Sequence, residues 1–411
     1  MFKLKIILIL LILFCISLAL HCENQNKSIF HSNHKIDTTN TKILYLNIQN
    51  INFFKNNEYF GENSFGYTLP GFNFRPSFSY QPTNKIKLEL GIDMIRFYGA
   101  EKYPFLTYSG LTQWKADIYH YGFHITPFYR AQVNLFENLN IVFGNLYRNN
   151  NHGLITPMYN RELNYSSEPE EGLQVLYNSR YIDIDTWLNW ENFIFKNNGV
   201  SEMFTLGTST NLKLIDNKTS QLYFPFSFVG KHIGGEGDTS SNVTKENWVN
   251  YSLGIGYSYK RNDYYFNNIG AEINLLNSNN LLEYDFPINK GRAIYSNIYA
   301  NSKNLKFELG YWLSRDYIPL LVNSLFGNIS SKNEGFVFGD INMIFFDMEY
   351  KLWVDKNYCF GIDFQAYHTF PHTRKSNSLP LQYNNSATSY SFGLFLRLNP
   401  KIRIVKLEIE H

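Results

Sequence analysis

Residues Lys85–Phe97 read KIKLELGIDMIRF. Lys85, Lys87, Glu89 and Asp93 share one parity, while Ile86, Leu88, Leu90, Ile92 and Met94 share the other. A period of two marks a β-strand, whose successive side chains leave opposite faces. Here one face is apolar and the other charged. A strand that crosses a membrane as part of a β-barrel has that pairing, apolar towards lipid and polar towards the lumen.

The pattern recurs along the chain. In Tyr181–Phe195, Asp183, Asp185, Asn189 and Glu191 oppose Ile182, Ile184, Leu188, Trp190 and Ile194. In Leu305–Ser314, Lys306 and Glu308 oppose Leu305, Phe307, Leu309 and Tyr311. Asp347, Glu349 and Lys351 oppose Ile344, Phe346, Met348, Tyr350 and Leu352. Ser389, Ser391, Gly393 and Arg397 oppose Tyr390, Phe392, Leu394, Leu396 and Leu398. Charge confined to one face over so many segments requires a wet interior. A soluble sandwich or β-helix is the alternative, but a sandwich hides its apolar face in one core and seldom needs so many strands.

Sixteen strands are predicted, over roughly 43–54, 72–82, 85–97, part of 114–136, 140–148, 170–178, 181–196, 203–214, 220–230, 248–260, 264–275, 292–301, 305–314, part of 335–354, 358–368 and 388–398. Short and long connections alternate between them, as tight periplasmic turns and long external loops do in outer-membrane barrels. An even count returns both ends to the periplasm. Three features strain this reading. Pro76, Pro127 and Pro225 fall inside predicted strands, where proline removes a ladder hydrogen bond, and are placed at rims or bulges. Arg96 lies on the lipid face, which is tolerable only near the interface. The strand-like tail Lys401–His411 changes face partway, raising an 18-strand alternative and leaving the closing strand undefined.

The 411 residues suffice for one large barrel or two ordinary domains. Aromatic residues make up 18 % of them, with 31 Tyr and 35 Phe, more than a soluble core needs and suited to interfacial girdles. A net charge of +2 with scattered Lys and Arg argues against a nucleic-acid partner. The start, MFKLKIILILLILFCISLALHC, has Lys3 and Lys5 ahead of an apolar run, with Ser17-Leu18-Ala19 as a small-residue cleavage site. It reads as a secretory signal peptide, too short in its apolar run to span. Lipidation of Cys22 is the weaker reading, because His21 stands where a small residue is expected. With Cys15 in the leader and Cys359 in a strand, no disulfide framework is implied. The expected organisation is a signal peptide over 1–19, a flexible periplasmic lead-in over 20–41 and one barrel over 42–411.

Chemistry-bearing clusters are few. Gly234-Gly235-Glu236-Gly237-Asp238 lacks the strand, helix and lysine of a phosphate-cradling loop. His120 with His124, and His368 with His372, lack a carboxylate to complete a metal set. No cofactor and no metal are predicted. Ser166 and Ser167 share a loop with His152, Glu168, Glu170 and Glu171, the one set with hydrolytic ingredients. The remaining charges read as pore lining: Lys85, Lys87, Glu89, Asp93 and Arg130, then Asp183, Asp185 and Glu191, then Lys213, Lys306, Glu308, Asp347, Glu349, Lys351, Asp363 and Arg397. Opposed charges in a constriction would set a transverse field that orients polar solutes.

FGNLYRNNNHGLITPMYNREL (Phe143–Leu163) with EEGLQVLYNSRYIDIDTWLNWENFIF (Glu170–Phe195), and EYFGENSFGYTLPGFNFRPSFSY (Glu58–Tyr80), resemble segments of porin-like outer-membrane barrels of Bacteroidota-type bacteria. The match covers about 58–195 well and the rest by pattern. The resemblance implies a barrel and the outer membrane, and no substrate. By analogy with porins, Asn149–Pro169, with Arg148, His152, Arg161 and its glutamates, is the candidate constriction loop; an ordinary surface loop is the alternative.

The expectation is a porin-like passive channel for small polar solutes and not an enzyme, seated in the outer-membrane bilayer after delivery by the barrel-assembly machinery. The alternatives are a non-conducting structural or adhesive barrel and an outer-membrane hydrolase. Oligomeric state is left open.

Overall fold

The computed structural model describes residues 34–98, 123–193, 202–234, 245–261, 265–282, 286–322, 324–333, 335–355, 357–376 and 379–407. The first barrel strands are β1 (Ile43–Glu58), β2 (Tyr67–Tyr80), β3 (Ile86–Phe97), β4 (His124–Phe136), β5 (Leu139–Asn145), β6 (Glu171–Asn178), β7 (Ile182–Asn192) and β8 (Met203–Asp216). Next come β9 (Ser220–Ile233), β10 (Glu246–Lys260), β11 (Asn268–Asn280), β12 (Lys290–Asn301) and β13 (Leu305–Arg315). After the short β14 (Val337–Phe338), β15 (Ile341–Val354) and β16 (Tyr358–Thr369) continue the wall. The hairpin β17 (His372–Ser376) and β18 (Leu379–Asn384) precedes β19 (Ala387–Leu398) and β20 (Lys401–Lys406).

Each wall strand pairs antiparallel with the next, and β19 closes on β1, with Asn50 opposite Leu398 and Glu58 opposite Tyr390. The result is a closed sixteen-stranded antiparallel barrel. The tail adds no seventeenth strand to the wall. β20 extends β19 past Asn399-Pro400 and pairs with Ile43–Asn47 at the foot of β1. Pro400 lacks the N–H to continue the ladder, but its carbonyl accepts from Ile48 N at 3.0 Å. The 18-strand alternative therefore falls away. A second sheet of β14, β17 and β18 stands in the connections at the long-loop end.

Burial runs inside out. Leu90, Leu253 and Leu275 are 63 %, 60 % and 58 % exposed, while Gln132, Gln174, Asn250 and Asn274 are fully buried. In water such an apolar exterior would be an association surface. In a bilayer it is the solvated face. In β3, Leu88, Leu90 and Ile92 face out while Glu89 and Asp93 face in, as the opening stretch predicts. Arg96 does face out, at the last turn of β3, with its guanidinium 4.9 Å from the centroid of Phe123.

The prolines are not all at rims. Pro76 sits mid-strand where the β2–β3 pairing skips from Phe74–Met94 to Ser77–Gly91. Pro225 faces a similar skip between Leu253–Phe226 and Gly256–Tyr223. Pro127 pairs with Ile92 on one side and lies beyond the end of β5 on the other, so no ladder bond is lost. The predicted strand 140–148 stops at Asn145, because the chain there turns into the barrel. Residues 114–122 of the predicted fourth strand, His120, Cys15, Cys22 and most of the Gly234–Asp238 run lie outside the described residues.

Candidate functional site

β5 and β6, at 7 and 8 residues, are the shortest strands of the wall. Their connection therefore departs at mid-height and enters the lumen. It turns through Asn151, His152 and Gly153, all left-handed, with φ of 57°, 55° and 69°. A side chain at 153 would also meet Ser209 Oγ at 2.9 Å, so glycine answers to both constraints.

His152 is fully buried at this turn. Its ring stacks on Trp187 at 4.0 Å and 15°. Nε2 lies 2.6 Å from Glu170 Oε2, and Nδ1 lies 3.0 Å from Asp185 Oδ2. Two carboxylate neighbours require donors on both nitrogens, which only the imidazolium supplies. Burial pulls the other way, but Glu170 and Asp185 together raise the group to about 9. Burial likewise opposes the charge on Glu170, yet His152 and Arg148 hold that carboxyl below its usual range. Gly207 lies opposite Trp187 on β8, and a Cβ there would stand 2.1 Å from the indole. The stack depends on that missing side chain.

Beyond the turn the loop crosses to the far wall. Thr156 donates to Glu308 Oε2 on β13 at 3.1 Å, and Arg161 pairs with Asp347 on β15 at 2.9 Å. Glu162 accepts from Tyr67 on β2 at 2.7 Å and from Asn57 on β1 at 3.2 Å. Arg148 ties the loop's own ends together, donating to Leu163 O at 2.7 Å and Ser167 Oγ at 2.9 Å.

The connection between β13 and β15 fills the long-loop half of the lumen. Tyr317, Ile318, Leu325, Phe326 and Ile329 are buried against inward-facing Trp248, Trp312, Phe345 and Tyr367. Phe326 meets Trp312, Phe345 and Tyr367 edge-on at 5.4, 5.8 and 6.0 Å. Ser324 donates to Asn63 O at 3.0 Å, and Asn160 N donates to Leu321 O at 2.7 Å. Both inward segments and the first long connection are thereby joined.

Below this apolar cap, described residues line two polar chambers. One, of about 340 Å³, is lined by Glu272, Glu308, Asp347 and Glu349 together with Arg161 and Lys306. The other, of about 130 Å³, carries Arg75, Arg130, Arg148 and Arg397 as its charged lining. His34, ahead of β1, reaches the same interior through Asn178 at 2.8 Å and its carbonyl accepts from Gln132 at 2.5 Å.

The residues picked from sequence fall into separate neighbourhoods. Lys87, Glu89 and Arg130 form one chain of ion pairs, at 3.2 and 2.9 Å from Glu89. Asp93 holds Arg75, which the sequence reading did not single out. Lys213 pairs with Asp183 at 2.7 Å, and Glu191 with Lys231 at 3.1 Å. Lys351, Asp363 and Arg397 are inward on the closing side, and Lys85 stands in the exposed turn before β3. The hydrolytic set does not assemble around His152. Ser166 Oγ donates to Glu162 O and Ser167 Oγ to Leu163 O, while His152 is held by carboxylates on both sides. Instead Glu168 meets His124 Nε2 at the long-loop rim, a pair whose side chains are 52 % and 39 % exposed. His368 Nδ1 faces Thr388 Oγ1 at 2.8 Å, and His372 Nδ1 faces Phe370 O at 3.0 Å. Among the described residues no group of three or more His, Cys, Asp or Glu is placed to hold a metal ion.

A family model described as lipid A 3'-O-deacylase-type matches residues 36–407. The chain belongs to that family. No curated protein matches it. The solved structures similar to this lipid A 3'-O-deacylase-type chain include OccAB3 of Acinetobacter baumannii, at 11 % identity over 87 % of this chain and 99 % of that one, TM-score 0.46. OccK8 (OprE) of Pseudomonas aeruginosa is 9 % identical over 88 % and 99 %, TM-score 0.47. OmpT of Vibrio cholerae is 9 % identical over 86 % and 97 %, TM-score 0.44. At these scores the likeness carries no argument about activity. The family membership overturns the expectation that the chain is not an enzyme, and adds a deacylase-type family to a barrel whose resemblance implied no substrate. The physical reason is that period-two patterning records how a wall is solvated, and says nothing of the few side chains at a rim. No local motif joins His124 to Glu168, 44 residues away.

Proposed function

We propose that this chain is an outer-membrane acyl-ester hydrolase acting on a lipid A-like glycolipid in the outer leaflet. The observation that carries the reading is the exposed His124–Glu168 pair at the long-loop rim of a barrel of the deacylase-type family. Just outside it stand Phe72, Tyr98 and Phe123, with Phe72 5.9 Å from Phe123 and Arg96 over the Phe123 ring. An aromatic and basic girdle of this kind suits the headgroup level, where an acyl ester lies. Glu168 orients the imidazole of His124, and the imidazole takes a proton from water. The water oxygen attacks the acyl carbon, the acyl C–O bond breaks, and His124 returns the proton to the departing alcohol oxygen. The products are a free fatty acid and the shortened glycolipid. The filled lumen fits a barrel used as a rigid seat for rim chemistry.

The test is fatty-acid release, by mass spectrometry, from lipid A liposomes carrying the reconstituted barrel. His124→Gln and Glu168→Gln should lower release by roughly 10²–10⁴-fold, with heat-modifiable gel migration unchanged. Release that survives both substitutions removes the pair from the chemistry, and no release from the wild type sinks the hydrolase reading.

One observation favours a second reading. The acidic and arginine-lined chambers suit a narrow, charge-filtered passage for small polar solutes. Discrete conductance steps in planar bilayers support it, and their absence rejects it.

A further inference from the structure

Among the described residues, the lining of the arginine-lined chamber includes no carboxylate, in contrast to the acidic chamber. Arg75, Arg130, Arg148 and Arg397 supply its charge, and Asn50, Asn73 and Asn399 are among its polar neighbours. The acids that pair with three of these arginines stand behind them: Asp93 with Arg75 at 2.5 Å, Glu89 with Arg130 at 2.9 Å and Glu170 with Arg148 at 3.5 Å. Two of the guanidiniums are fixed on one ring. Arg75 lies 4.7 Å and Arg130 5.1 Å from the centroid of buried Phe128, and Arg130 also lies 3.7 Å from the centroid of Tyr147. Stacked guanidiniums have little rotamer freedom left to lose, so their remaining N–H groups are preset for a ligand.

Four guanidiniums against these three carboxylates leave the surroundings of the chamber net positive, which favours an anion in that space. The volume, about 130 Å³, has room for several waters or one small oxyanion. Leu398 and Asn399 place the chamber towards the short-turn end, with Asn399 N bonded to Asn357 O in a short turn at 2.7 Å. It lies inside the wall, away from the lipid face. We infer that this chamber is a binding site for a soluble phosphate-type oxyanion entering from the short-turn side. The guanidinium fork matches such an oxygen pair bidentately. The inference is independent of the hydrolase reading.

Calorimetric titration of the detergent-refolded barrel with inorganic phosphate at low ionic strength tests it. The wild type should bind saturably. Asn399→Asp, which adds a negative charge to the chamber from an exposed position, should weaken binding at least tenfold, as should Arg75→Gln. Gel mobility confirms that each variant is folded, and Asn399→Asp alone suffices if Arg75→Gln is not. No saturable binding by the wild type, or equal affinity in Asn399→Asp, overturns the assignment.

Discussion

His152 shows how much one residue fixes. It locks the inward loop to β7 through Asp185 and to the loop's own return through Glu170, on a Trp187 platform. Its folded value of about 9 lies above the ordinary 6.5, so the stabilisation is complete below about pH 6.5 and fades as pH rises through about 9. That rise corresponds to about 3 kcal/mol of preference for the charged ring in the fold. Unfolding midpoints in denaturant should therefore drop between about pH 7 and pH 10 in the wild type. His152→Gln should be less stable at neutral pH and lack this slope; an identical slope in the variant would remove the imidazolium from the account. Gly207→Ala should push the indole off its seat at a cost of about 1–3 kcal/mol, the usual range for overpacking. A neutral outcome in thermal melts would mean that Trp187 repacks freely.

At the scale of elements, the decisive feature is the parity of each strand, and where it breaks. Exposed Leu253 is near the middle of β10, on its lipid side. Leu253→Arg should cost about 2–4 kcal/mol when stability is measured in bilayers, and a negligible cost would place that face elsewhere. The strand faces were legible because an alternating wall needs only local residues. The cap was not read, although its signs were present. Trp187 shares a face with Asp185, Trp312 with Glu308, and Phe345 with Asp347, so each is an aromatic ring on a polar parity. The run YIPLLVNSLF (Tyr317–Phe326) is an apolar stretch in a long connection, which solvent alone would not favour. Both signs mean a filled lumen, but either is ambiguous without the other's position. Phe326→Ala should destabilise by about 3–5 kcal/mol through the cavity it leaves. If it costs less than about 1 kcal/mol, the cap is loosely packed.

For the whole molecule, a sixteen-stranded ring would by itself leave an aqueous channel. Two inward connections change that outcome: one fills the long-loop half with an apolar core, and the other divides what remains into chambers of opposite charge. What the barrel provides is a membrane seat, a rigid rim and a partitioned interior. All of it rests on alternate side chains meeting lipid. The most direct test is a nitroxide scan along β10 in bilayers, in a Cys22→Ser, Cys359→Ala background, comparing accessibility to oxygen with accessibility to a water-soluble nickel chelate. Labels at Tyr251, Leu253 and Ile255 should be reached from lipid by oxygen, and labels at Asn250, Ser252 and Ser258 should not. Uniform accessibility along the strand, or the opposite alternation, would contradict the account.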